Sequence, residues 1–241
     1  MQTKLIQRAI DAYGGGEVWS RARYIEAEVS AKGLAFVLKG RPYFNHAKMF
    51  MEVARPLCRI TPIGKQEGVS GVLDGLAVRL EDAQGNVIAS RENARNYFTW
   101  GRRLLYWDDL DMAYFANYAF WNYFTLPALL MNQAIIWGEQ SGSVLKATFP
   151  DSIPTHSRVQ YFRFDEASGL LSQHDYTARI ISRFANAANV VQEHGNSNGI
   201  PFTSRRRVTP GTGYGKYLPA PVLIDIDVHN FQLLDANRNI I

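Results

Sequence analysis

Residues able to do chemistry gather in three places. In the stretch Gln173 to Arg179, a strand would put His174 and Tyr176 on one face and Asp175, Thr177 and Arg179 on the other. Histidine titrates near neutrality, so His174 with Tyr176 is a candidate acid–base pair. A His174–Asp175 dyad is geometrically poor, because adjacent strand residues point oppositely. A strand with one solvated face and a hydrogen-bonded tyrosine explains the same residues. His156 follows Pro150 and Pro154 in a loop before a strand, where solvent exposure is the usual fate and catalysis at a barrel mouth the sharper alternative. The third place is the run Asp111 to Met131, with Tyr114, Phe115, Tyr118, Phe120, Trp121, Tyr123 and Phe124 close together.

At about 100° per residue, a helix places Asp111, Tyr114, Tyr118 and Trp121 on one face, with Phe115 and Asn122 beside it. The helix is apolar nearly all round, and such a helix is normally buried. It is therefore either aromatic core or the wall of a pocket, whose ligand would occupy the phenols, indole and carboxylate. The candidate proton-transfer residues are Asp111, Tyr114, Tyr118, His174 and Tyr176. The candidate ligand contacts are Tyr114, Phe115, Tyr118, Trp121, Asn122 and His156.

Other motifs carry less. Gly14, Gly15 and Gly16 follow a helical pattern and lack GxGxxG spacing, which makes them a helix stop. "PGTGYGKY" lacks the first glycine of a phosphate loop and has Tyr217 in place of its Ser/Thr. Ser70 lacks the nucleophile-elbow spacing. Cys58 reads as a buried, inert thiol. Arg205, Arg206 and Arg207 read as a strand with two solvated arginines. Asp225, Asp227 and His229 alternate on the last strand without a second cluster at metal-ligand spacing, so no metal site is expected, and no cofactor.

The 241 residues are 46% hydrophobic and 20% charged, which belongs to a globular chain with a full core. A net charge of +4 is too small to imply nucleic acid without a recognition module. A single cysteine and an N-terminus without a continuous apolar stretch or cleavage site lead to the expectation of a cytoplasmic protein. Asp111, Asn117, Asn122 and Pro127 interrupt the aromatic run, so it is not expected to span a bilayer.

The remaining segments must position these residues. Thr3 to Tyr13 has helical spacing. From Tyr24 the period becomes two, with Ile25, Ala27 and Val29 alternating against Glu26, Glu28 and Ser30 before a turn at Lys32-Gly33. The stretch Gly71 to Glu92 reads as two short strands about a turn at Asp82 to Gly85, and Asp108 and Asp109 offer N-caps for the aromatic helix. Strand-like segments resume from Ser143, with a hairpin loop at Asp165 to Leu171. About ten strands, an N-terminal helix and a central helix imply a mainly β (α+β) single domain over residues 1–241. Its most economical form is one curved antiparallel sheet, a half-barrel with the aromatic helix inside.

This order of elements resembles the half-barrel of the LolA/LolB lipoprotein carriers. The echoes are the opening helix running into "YGGGEVW", the stretch "GLLSQHDYTARI", and the late "HGNSNGIPFTSRRRV". The resemblance implies an incomplete barrel whose helices plug an apolar cavity for acyl chains. The N-terminal residues do not read as the export signal of those carriers, so export is not expected, and the same fold serves a cofactor-free enzyme of violacein biosynthesis. Two functions follow as expectations: binding of a small hydrophobic molecule or acyl chain, or cofactor-independent cyclisation or isomerisation of a hydrophobic secondary metabolite.

Overall fold

A computed structural model describes residues 4–241. The predicted helix start at Thr3 lies outside the described residues. Helix α1 runs Lys4–Ala12 and buries Leu5, Ile6, Ala9 and Ile10. Gly14 and Gly15, with φ of 96° and 88°, end it. Gly16 is not part of that stop, as the sequence reading had it; it opens a second helix, α2 (Gly16–Arg21), anchored by the buried Trp19.

Strand β1 (Tyr24–Lys32) buries Ile25, Ala27, Val29 and Ala31, the predicted alternation. The turn at Gly33 leads into a short helix, α3 (Leu34–Leu38), which the period-two reading did not anticipate. Gly33 has φ 140°, and a Cβ there would lie 2.5 Å from the Leu223 carbonyl oxygen. Only glycine lets the chain come this close, so that the Ala35 amide donates to Leu223 O at 3.0 Å and pins α3 on the sheet.

Next come β2 (Phe44–Glu52), β3 (Leu57–Thr61), β4 (Ser70–Asp74), β5 (Ala77–Glu81) and β6 (Val87–Arg91). The stretch read as two strands thus holds three, because Gly75 (φ 60°) makes an additional tight turn between β4 and β5. A helical segment follows: a 3-10 turn at Ala94–Tyr97, α4 (Trp100–Leu104), α5 (Asp109–Phe124) and α6 (Leu126–Met131). The chain then returns to strands: β7 (Ile136–Ser141), β8 (Val144–Thr148), β9 (Val159–Phe164), β10 (Leu171–Thr177), β11 (Asn186–Ser197), β12 (Ile200–Gly213), β13 (Lys216–Tyr217) and β14 (Ile224–Leu234).

Fourteen strands, rather than ten, form one antiparallel sheet in the order β6-β5-β4-β3-β2-β1-β14-β12-β11-β10-β9-β8-β7, with β13 paired to β12. Its two edges, β6 and β7, flank the helical segment in sequence, so that segment joins the edges across the hollow of the open sheet. Helix α5 packs on β3, β4 and β5. Asp108 caps it, accepting from the Asp111 amide at 2.9 Å while the Asp111 carboxylate accepts from the Asp108 amide at 3.1 Å, a reciprocal capping box. All its residues except Asp109 and Phe115 are buried, as an all-round apolar helix requires. Gly71 permits the contact with β4, since a Cβ there would meet Ala113 Cβ at 2.6 Å. Among the described residues no helix is long and apolar enough to cross a membrane.

Candidate functional site

The hollow holds two regions of different character. The first is a polar thread between α5 and strands β9 to β11. Tyr118 Oη lies 3.2 Å from His156 Nδ1, and Tyr123 Oη lies 3.0 Å from His156 Nε2. Tyr123 Oη also lies 3.0 Å from Tyr176 Oη. A neutral imidazole has one N–H and one lone pair, so one tyrosine donates to His156 and the other accepts from it. His156 stacks on Tyr176 with ring centroids 3.8 Å apart.

His156 is 0% exposed, a correction to the solvent exposure expected of its loop. Arg95 donates to the Thr155 and His156 carbonyls at 2.7 and 3.3 Å, and Asn122 donates to the Pro154 carbonyl at 2.9 Å. These bonds draw the loop inward. Burial, with Arg95 nearby, lowers the His156 pKa to about 3.

His174 and Tyr176 share the inner face of β10, with centroids 4.9 Å apart, but bond to different partners. Because Gln160 Oε1 can only accept, His174 Nε2 donates to it, at 2.5 Å. Burial holds the His174 pKa well below its usual value and those of Tyr118 and Tyr176 well above theirs. Every member of the thread is therefore neutral near pH 7. Arg206, 2% exposed, closes the region, with Nη2 donating to Tyr123 O at 3.3 Å and Nε to Thr203 Oγ1 at 2.7 Å. Its Nη1 finds no protein acceptor, and the adjoining space is about 10 Å³. That is room for one water at most.

The second region is a cavity of about 330 Å³ between α3, Leu104, Trp107, the Met112 and Phe115 side of α5, and strands β10 to β12 and β14. Its strand wall is built of Tyr176, Ala187, Val208 and Ile224, with Ala178, Ile181, Ala185 and Leu223 from neighbouring loops. The small alanines are what leave the space open. Trp107 is held edge-on by Phe98 and tilted against Phe115, at 5.4 and 5.1 Å.

The residues singled out from sequence are divided by the fold. Tyr118, His156 and Tyr176 meet in the thread, with Tyr114 packed on Tyr118 at 5.2 Å and Phe115 on His156 at 5.6 Å. Phe115 and Tyr176 also border the cavity; Tyr114 borders a separate open cleft with Arg95, Arg158 and Arg179. Asp111 lies apart. It accepts from Arg91 at 2.6 Å and from Arg102, beside Asp108, at the start of α5. Burial raises the Asp111 carboxyl, whereas Asp108, despite its own burial, is drawn down to about 2 by hydrogen bonds from Arg91, the Asp111 amide and Arg102. Trp121 donates to the Glu52 carbonyl at 2.7 Å, and so serves the β2 side of the core.

Sequence reasoning missed Tyr123 and Gln160, which complete the thread, and Lys39, Arg41, Trp107 and Met112, which border the cavity. Tyr123 stood in the aromatic run, but a helix buried on all sides has no telling face. Cys58 is buried in β3 with its pKa pushed well up, so it is unreactive. Arg205 and Arg207 are half exposed beside Asp225 and Asp227, while Arg206 turns inward, matching two solvated arginines. Among the described residues, no group of three or more His, Cys, Asp or Glu is placed to hold a metal ion.

No protein-family model and no curated protein matches the sequence. Solved structures do resemble it. A LolA superfamily protein from Nitrosomonas europaea aligns with a TM-score of 0.51 at 9% identity, covering 98% of this chain and 94% of that one. A DUF1329 family protein from Desulfovibrio piger aligns with a TM-score of 0.50 at 12% identity, covering 96% and 94%. At these identities the likeness speaks to architecture alone, and the architecture of this chain is a LolA-like half-barrel.

Proposed function

We propose that the protein binds a small hydrophobic molecule or acyl chain in the cavity under α3. The observation that carries this reading is the cavity itself: about 330 Å³, walled by Phe36, Trp107, Met112, Phe115 and a floor of alanines and branched aliphatics. Small-molecule sites run about 300–1,000 Å³ and are mainly apolar with a few polar groups. The volume sits at the low end and suits one chain rather than several. The half-barrel fold, whose carriers the sequence resembles, supports a hydrophobic guest in general.

The proton-transfer alternative draws no comparable support. His156 and His174 are sealed at 0% and 1% exposure, and their polar contacts are to other side chains of the protein. Of the five rings in the thread, Tyr176 alone borders the cavity.

The test is fluorescence titration with the neutral dye N-phenylnaphthylamine. Wild-type protein should bind the dye, and Ala185→Phe, which fills the cavity from a half-buried position, should weaken binding by about tenfold or more. Equal binding by a folded Ala185→Phe protein removes the cavity as the site.

A further inference from the structure

Three residues that border this cavity carry hydrogen-bonding capacity that the protein leaves unused. Lys39, the C-cap of α3, is 6% exposed, and no carboxylate lies within ion-pair distance of its ammonium among the described residues. Its Nζ donates to the Arg103 carbonyl and sits 5.3 Å from the centroid of the Trp107 ring, leaving further N–H groups over. Trp107 is 2% exposed, and its indole N–H has no protein acceptor. Arg41 donates from Nη1 to the Trp107 carbonyl at 3.0 Å and pairs with Asp109 through Nη2, while its buried Nε–H is unmatched. The unmatched Trp107 and Arg41 nitrogens are themselves sealed from the cavity, which leaves the Lys39 ammonium as the charged group a guest could meet on this wall.

Buried donors without partners are costly, and a buried cation without a counter-charge more so. A neutral apolar guest would leave the cost of the ammonium in place. A guest ending in a carboxylate offsets it, because its oxygens accept the remaining N–H groups of Lys39 and its charge balances the ammonium. Resting on the binding function proposed above, we infer that the ligand is a single-chain amphiphile with a carboxylate head, received by Lys39. Burial already lowers the Lys39 pKa to about 8, so the ammonium is poised to gain from such a partner.

Displacement of N-phenylnaphthylamine by decanoate and by decanol separates head from chain. At neutral pH decanoate should displace the dye at a concentration about tenfold or more below decanol, as one charge-assisted hydrogen bond alone would give. The preference should collapse in Lys39→Met. In the wild type it should decline as the pH rises above 8, where the ammonium loses its proton. Equal displacement by decanol and decanoate, or a preference that survives Lys39→Met in a folded protein, overturns the carboxylate inference and leaves hydrophobic binding standing. If the dye binds but neither compound displaces it, the single-chain ligand class is wrong. If the dye itself does not bind, the failure lies with the binding function.

Discussion

The thread and the cavity are built from the same helix and the same strands, yet they treat polar groups in opposite ways. In the thread, Tyr118, His156, Tyr123 and Tyr176 satisfy one another. At the cavity, the Lys39 ammonium is buried without a carboxylate partner beside about 330 Å³ of space. An orphaned donor is not enough to indicate a site, as Arg206 shows with its spare Nη1 and about 10 Å³ nearby. A buried cation without a counter-charge together with volume sets the cavity apart from the space at Arg206.

If the thread is structural, truncating it should be the most damaging change and should spare binding. Tyr123→Ala removes a buried ring and both its hydrogen bonds, and should cost about 3–5 kcal/mol in chemical denaturation. Tyr123→Phe keeps the ring and leaves His156 and Tyr176 each short of a partner; about 2 kcal/mol is expected, with dye affinity within about threefold of wild type. A Tyr123→Phe protein of unchanged stability that loses binding would reverse the two roles.

The histidines give the thread a pH signature. In the unfolded chain His156 takes up its proton near 6.5, whereas in the folded protein it does so only near 3. The unfolded state therefore binds more protons in that window, and stability is lost as the pH falls through it. His156→Phe should flatten the fall, which thermal melts across the acid range would show. The cavity has the opposite window. Lys39 titrates near 8 when folded against 10.5 as a free side chain, so stability should rise with pH between those values. In Lys39→Met that modest rise should vanish.

The sequence made some of this legible and hid the rest for physical reasons. Helix α5 was readable because its signals are local: Asp108 and Asp111 at the cap, then an uninterrupted apolar surface. The half-barrel was readable because strand alternation, as in β1, and the order of elements are properties of the chain itself. His156 was misjudged because its burial depends on Arg95 and Asn122, which reach it across 61 and 32 residues through its loop's carbonyls. Helix α3 was hidden because it depends on Gly33 fitting against Leu223, far along the chain. The donor cluster was the least visible. "VLKGR" and "LLYWDD" look like ordinary helix-end and cap sequences, and only the fold brings Lys39 and Trp107 together.

The division between thread and cavity can be read most directly from the methionine methyl groups. Of the five methionines, Met112 borders the cavity, while Met49 and Met51 lie buried in β2. In an NMR titration of methyl-labelled protein with N-phenylnaphthylamine, the Met112 ε-methyl resonance should shift, and those of Met49 and Met51 should hold. A dye that binds while moving Met49 or Met51 and leaving Met112 in place would contradict the assignment of the cavity under α3 as the binding site.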